Sequence, residues 1–253
     1  MGRVITIANQ KGGVAKTTTA VNLSAWISLM GRRALLIDMD PQGNATSGLG
    51  LNKEELVYTI YDVLINGIDA KKVIIECPVE KLFVLPSRID LAGAEIEMVS
   101  IKGREYLLKE AIKEVRNDYD FVIIDCPPSL GLLTINALAA ADSVLIPIQC
   151  EYYALEGVGQ LMNTISLVQR GINRSLLIEG VLLTMFDGRT NLSIQVVDEV
   201  KRYFKDRVYG SIVPRNVRLS EAPSHGKPVM VYDRRSRGAE VYQELAKEVL
   251  GID

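Results

Sequence analysis

Cysteine is scarce in this 253-residue chain, and histidine scarcer. Cys77, Cys126 and Cys150 have no C-x-x-C spacing and sit in or beside apolar stretches. That argues against a disulfide framework or a structural zinc site, and for a reducing cytoplasm. The one histidine, His225, stands in a Ser-His-Gly-Lys-Pro turn with no serine–aspartate constellation around it, so it reads as a loop residue rather than a base. Long apolar runs are missing as well. Stretches such as Phe121 to Ile124 and Val181 to Leu183 fall far short of the roughly 20 residues a bilayer requires. The opening Met-Gly-Arg-Val-Ile-Thr enters apolar sequence with no basic leader, so no signal peptide is expected. Internal repeats, low-complexity tracts and Pro/Gly/Ser-rich linkers are also absent from the sequence. One domain over residues 1–253 is the expectation.

Overall charge is close to balanced at −2, which excludes a protein that is basic all over. The distribution is uneven. Residues 189–237 carry eleven Lys/Arg against five Asp/Glu, so the remainder is strongly acidic. That asymmetry points toward a polyanion partner, although a solvated basic face would produce the same count. A hydrophobic content of 48% and a charged content of 24% are ordinary for a globular chain and exclude disorder and coiled coil.

Short apolar runs alternate with segments of helical character. Val4 to Ala8, Ala34 to Ile37, Leu82 to Leu85, Phe121 to Ile124, Val144 to Ile146 and Leu176 to Leu183 read as strands. They are almost continuously apolar, as strands covered on both faces should be. Helices are predicted over 17–30, 58–66, 104–117, 131–140, 154–170, 193–205 and 238–250. This order predicts an α/β fold: a doubly wound, mostly parallel sheet with helices on both faces. Ligands of such sheets bind beyond the carboxyl ends of the strands. Ala8 runs into Asn9-Gln-Lys-Gly-Gly, Ile37 into Asp38-Met-Asp40, and Ile124 into Asp125-Cys-Pro-Pro, so these residues should meet at one rim.

Gln10-Lys-Gly-Gly-Val-Ala-Lys-Thr-Thr18 lies between a predicted strand and a predicted helix, the setting of a phosphate-binding loop. Gly12 and Gly13 let backbone N–H groups approach phosphate oxygens, with Val14, Ala15 and Thr18 completing the cradle. The helix N-terminus aims its dipole at the same anion. Lys16 is placed to reach the β- and γ-phosphates, and the Thr17 hydroxyl to ligate Mg²⁺. The strict pattern G-x-x-x-x-G-K-[ST] nevertheless fails twice, at Gln10 and at Ala15. Where that second position needs a positive φ, the Ala15 methyl costs of order 1 kcal/mol. Asp125 closes a buried strand in the Walker B position and suits Mg²⁺, mostly through water. Asp40, in a Pro-Gln-Gly-Asn turn, can orient or deprotonate a water. Asp38 should share its side and suits a magnesium-bound water.

The loop's additional Lys11 makes the segment K-G-G-x-x-K-[ST], which resembles the deviant Walker A motif of the ParA/MinD family of P-loop NTPases. Asp38-Met-Asp-Pro-Gln-Gly-Asn44, Asp125-Cys-Pro-Pro-Ser129, Pro214-Arg-Asn216 and Leu219-Ser-Glu-Ala-Pro-Ser-His-Gly-Lys-Pro228 resemble the short, Soj-type chromosomal ParA proteins over nearly the whole chain. The resemblance implies an ATP- and Mg²⁺-dependent partitioning ATPase, cytoplasmic and nucleoid-associated. It would dimerise on ATP, bind double-stranded DNA without sequence preference, and hydrolyse ATP under stimulation by a ParB-type partner. It also implies that Lys11 contacts the nucleotide of the opposite subunit, that Asp40 is the catalytic switch, and that Pro214 and Asn216, after the strand-like Gly210 to Val213, meet the adenine. Among Arg189, Arg215, Arg218, Lys227, Arg234, Arg235 and Arg237, it favours Arg189 and Arg218 for DNA phosphates.

The alternative is a membrane-recruited cell-division regulator like MinD. That reading needs an amphipathic helix with a cationic face. The segment Ala239 to Leu250 instead carries three glutamates and one lysine, so no membrane partner is expected. Cys126 and Cys150 do not reproduce the context of the superfamily's iron–sulfur reductases.

Overall fold

The computed structural model describes residues 2–151 and 156–252. Among them, β1 (Arg3–Ile7), β2 (Ala34–Asp38), β3 (Ile75–Glu76), β4 (Leu82–Leu85), β5 (Phe121–Asp125), β6 (Ser143–Gln149), β7 (Leu177–Phe186) and β8 (Val208–Pro214) form one sheet. The spatial order is β3-β4-β2-β5-β1-β6-β7-β8, with every pairing parallel except the β3–β4 hairpin. Helices α1 (Lys16–Leu29), α2 (Asn44–Gly48), α9 (Val217–Glu221), α10 (Val229–Tyr232) and α11 (Arg237–Leu250) cover one face. The other face carries α3 (Ile60–Leu64), α4 (Leu91–Glu97), α5 (Leu107–Ala111), α6 (Leu132–Ala140), α7 (Glu156–Gly171) and α8 (Asn191–Phe204).

The continuous apolar runs follow from this double cover. Along β5, Val122 and Ile124 pack against one helical layer, while Phe121 and Ile123 pack against the other. Strand β2 divides in the same way, Leu35 and Ile37 to one side and Ala34 and Leu36 to the other. A period of two with both phases apolar removes the alternation that a half-exposed strand would show. The same logic buries most of α1, which lies between the sheet and α11 and closes a Thr19–Tyr242 hydroxyl hydrogen bond of 3.0 Å.

The predicted helix over 104–117 is corrected: only Leu107–Ala111 is α-helical, flanked by 3₁₀ turns at Arg104–Tyr106 and Val115–Asp118. The buried Asn136 side chain of α6 intervenes. Its oxygen accepts from Leu108 N–H and its amide donates to the Arg104 carbonyl, replacing local helical bonds with tertiary ones. The predicted helix over 154–170 corresponds to α7, and its first two residues lie outside the described residues. Strand β6 runs beyond 144–146 at both ends, continuing through Pro147 to Gln149.

Candidate functional site

The loop after β1 is held by side chains from neighbouring strands. Asn9 is buried; its amide donates to the Pro147 carbonyl beyond β1's own pairing, and its oxygen accepts from Lys11 N–H at 3.0 Å. Thr184 of β7 donates to the Val14 carbonyl at 3.2 Å. Val14 is therefore packed inward rather than lining the cleft. Gly13 at φ 75° and Ala15 at φ 66° are both left-handed, and α1 starts at Lys16 with its first N–H groups turned to the loop. The Lys16 ammonium is buried and donates to the Lys11 carbonyl at 3.0 Å.

Ala15 occupies a backbone region that suits glycine. Left-handed geometry costs an alanine roughly 1–2 kcal/mol, and the greater freedom of an unfolded glycine offsets roughly 0.4–1 kcal/mol of the relief. Ala15→Gly is expected to raise the thermal midpoint of the nucleotide-free protein by about 2 °C, read by calorimetry. A lower midpoint would mean that the methyl contributes packing that outweighs the strain. Met185, at the end of β7, is the other left-handed non-glycine residue here, with φ 52°. Both residues face the same cavity system, and strained backbone tends to gather at functional sites.

Gly12, Gly13, Ala15, Lys16, Thr17, Thr18 and Asp40 line one cleft of ≈ 370 Å³. A second cleft of ≈ 510 Å³ continues from it past Ala15, Thr18 and Met185 to Pro214 and Asn216. The Asn216 oxygen already accepts from Arg218 N–H at 2.9 Å as the cap of α9, so its amide N–H groups carry its remaining hydrogen-bonding capacity. Together the clefts offer a phosphate end around Lys16 and Thr17 and a second end lined by Val213, Pro214 and Leu219.

Asp125 lies beneath the phosphate end, in register with Asp38 on β2 and fully buried. Thr17 is close enough to stabilise its charge, yet both carboxylate oxygens lack a well-formed hydrogen bond. Burial, followed by the charge of Asp38, drives the Asp125 pKa well above the usual carboxylate range. Lys16 moves the other way: burial lowers its pKa, opposed by Asp125 and more weakly by Cys126 and Asp40. A buried carboxylate without partners is a costly arrangement that a cation relieves. No cluster of three or more His, Cys, Asp or Glu suited to a metal occurs among the described residues. The site therefore fits an ion that takes its other ligands from phosphate and water, which is how Mg²⁺ binds. Asp38 is fully buried and both of its oxygens are engaged, Oδ1 by Asp40 N–H and Oδ2 by the Thr46 N–H and hydroxyl. Burial pushes its pKa up to about 6.

Lys11, Arg189 and Arg218 line neither cleft. Lys11 extends away from the phosphate end, its ammonium 3.9 Å from the Glu151 carboxylate. Arg189 and Arg218 are exposed, following the carboxyl ends of the adjacent strands β7 and β8. Arg189 pairs with Asp187 at 2.7 Å, and its hydrogen bonds hold that carboxyl down to about 2. Arg218 pairs with Glu221 and Asp233. The cysteines are free and buried. Asn9 and Thr184, which shape the loop, were not anticipated; the available signal is a polar residue at the carboxyl end of an otherwise apolar strand.

A family model described as an AAA domain matches residues 2–178. The sporulation initiation inhibitor protein Soj of Bacillus subtilis is 63% identical over 249 residues, covering 98% of each chain. The chromosome-partitioning ATPase Soj of Treponema pallidum is 50% identical and covers 100% of this chain and 99% of its own. Among solved structures, cobyrinic acid a,c-diamide synthase from Mycobacterium smegmatis with a bound ATP analog and magnesium superposes with a TM-score of 0.89 at 41% identity, covering 99% of this chain and 94% of its own. Identity of that order over essentially the full length, on a loop that carries both lysines, means that the chain belongs to the ParA/Soj family of deviant Walker A ATPases.

Proposed function

We propose that the chain is an ATP-driven partitioning switch, a single ATPase domain over residues 1–253 that hydrolyses ATP with Mg²⁺. One observation carries the reading: Lys16 and Asp40 face a common cleft above the unpartnered Asp125, while Lys11 stands outside it. Lys16 and the α1 amides bind the β- and γ-phosphates, and the base lies along Pro214 and Asn216. Thr17 and Asp125 would hold Mg²⁺, which when bound would neutralise charge on the phosphate oxygens. Asp40 orients the attacking water. Lys11, which its own subunit's cleft does not use, serves the nucleotide of a second copy, and this ties dimerisation to ATP.

The dimer would bind DNA non-specifically, chiefly through Arg189 and Arg218, and a ParB-type partner would stimulate hydrolysis on the nucleoid. The arginines lie at the surface, and surface ion pairs contribute about 0–1 kcal/mol, so phosphate can replace their half-buried carboxylate partners. Two subunits double the contacts on one body, which makes affinity rise with ATP through effective concentration. A membrane-recruited role is less well supported: Val241, Tyr242, Leu245 and Val249 already spend the apolar face of α11 on the core. Among the described residues no helix is long and apolar enough to cross a membrane.

DNA binding is expected to require ATP, to ignore sequence, and to weaken with salt at a log–log slope of about −0.9 per phosphate neutralised. Arg189→Glu/Arg218→Glu should lower DNA affinity about tenfold or more at low salt and leave ATP-dependent sedimentation as a dimer unchanged. Parent-level DNA affinity in that double variant would remove these arginines from the interface, and ATP-independent binding by the parent would remove the switch.

A further inference from the structure

Asp40 is gripped by its main chain from both sides. Its N–H donates to Asp38 Oδ1 at 3.1 Å, and its carbonyl accepts from Ser87 Oγ at 2.8 Å. Ser87 N–H in turn donates to Thr46 Oγ1 at 2.9 Å, and that hydroxyl donates to Asp38 Oδ2 at 2.7 Å. The four residues close a ring of hydrogen bonds joining β2, α2 and the segment that follows β4. Asp38, Thr46 and Ser87 are fully buried, and none of the three lines the phosphate cleft. Gly43, between Asp40 and Thr46, is left-handed at φ 60°, and a Cβ there would stand 2.7 Å from the Ser87 carbonyl. The turn that carries Asp40 is therefore moulded against Ser87 at two points.

We infer that Thr46 and Ser87 are positioning residues for ATP hydrolysis, fixing the backbone from which the Asp40 carboxylate reaches the attacking water. The inference rests on the assignment of Asp40 to the water. The side chain of Asp40 has its own restraint, Gln42 N–H on Oδ1 at 2.9 Å, so the ring sets where the side chain starts and the Asx turn sets where it ends. The ring's bonds do not touch phosphate-binding groups. Loosening it should displace the water-orienting carboxylate while leaving the nucleotide's contacts in place, and a misplacement of about 1 Å can cost up to about 100-fold in rate.

Ser87→Ala is the mild probe, because the Asp40 carbonyl keeps its second donor, Gly43 N–H at 2.9 Å, and no buried acceptor is orphaned. Thr46→Val keeps the shape and removes the hydroxyl, and Thr46→Ser restores the hydroxyl. Steady-state ATP hydrolysis and ATP affinity by calorimetry, on the full chain with Mg²⁺ and DNA, should show kcat about tenfold lower in Ser87→Ala, with KM and ATP affinity within twofold of the parent. Thr46→Val should fall at least as far, and Thr46→Ser should recover most of the loss. A kcat within twofold of the parent in Ser87→Ala overturns the inference. So does a loss of kcat matched by a rise in KM, or a Thr46→Ser variant no better than Thr46→Val. Asp40→Ala measured alongside separates the two layers. If it abolishes hydrolysis while the ring variants retain parent kcat, the ring alone is dismissed; if it hydrolyses at the parent rate, the role of Asp40 and the ring fall together.

Discussion

Lys16→Ala is expected to lower ATP affinity by about 10²–10³-fold, read by calorimetry with Mg²⁺ present. The ammonium is the cation lining the phosphate cleft; Lys11, the loop's other basic side chain, is turned to Glu151. Hydrogen bonds to charged groups are worth about 1.5–3 kcal/mol each, so two of them to the β- and γ-oxygens amount to at least about two decades in affinity. The effect also has a direction in the free protein. Lys16 opposes the rise in the Asp125 pKa, so its removal leaves that buried carboxylate with less compensation and favours its protonated form. Circular dichroism and the thermal midpoint therefore belong beside the titration, to show that the variant is folded when it fails to bind. Equal ATP affinity in Lys16→Ala and the parent would mean that the loop is not the phosphate site.

The parts of this architecture that could be read from the sequence are those whose cause is local. Strands β1, β2, β4 and β5 announce themselves because burial on both faces makes them apolar at nearly every position. Strand β3 is two residues long and carries no pattern at all. Strand β8 contains Gly210 and Ser211 at a register irregularity, where both N–H groups turn to the Glu248 carboxylate instead of a neighbouring strand, so its apolar run is interrupted. Helix α4 was missed because its seven residues include Gly93 and begin without a capping hydrogen bond.

The candidate site divides along the same line. The glycines, both lysines, Thr17 and the aspartates at strand ends are legible, since the loop's chemistry is written within nine consecutive residues and the carboxylates directly follow apolar runs. Thr46, Ser87 and Thr184 are not. Their meaning lies in partners far along the chain: Ser87 serves Asp40 from 47 residues away, and Thr184 serves Val14 from 170. A lone serine or threonine has no sequence signature for such a bond. Asp38 is legible only in part: its spacing from Asp40 suggests a contact with a magnesium-bound water, while the bonds from Thr46 to its Oδ2 have no trace in the sequence.

Asp40→Ala should reduce ATP hydrolysis by about 100-fold or more, while ATP affinity stays equal to the parent's or increases. The sign of the binding effect follows from the charges. Asp40 lines a cleft that must accept a polyanion, with the buried Asp125 and Asp38 behind it, and removing one carboxylate lowers that repulsion. The fold should tolerate the change, because alanine retains the main-chain N–H and carbonyl that bond Asp38, Ser87 and Gly43. The variant loses only the acceptor for Gln42 N–H. On the proposed assignment, what disappears is the group that orients or deprotonates the attacking water, and Lys16 and the α1 amides cannot replace it, because they are hydrogen-bond donors and not bases. A protein that binds ATP but cannot consume it should accumulate as the ATP dimer. Sedimentation with ATP and Mg²⁺ is expected to show a persistent dimer, and on DNA that dimer should remain through many parent turnover times. Asp40→Asn tests the chemistry more narrowly, since it keeps the size and loses the base. Hydrolysis at the parent rate in Asp40→Ala would reduce Asp40 to a turn residue and leave the attacking water to be oriented by another group.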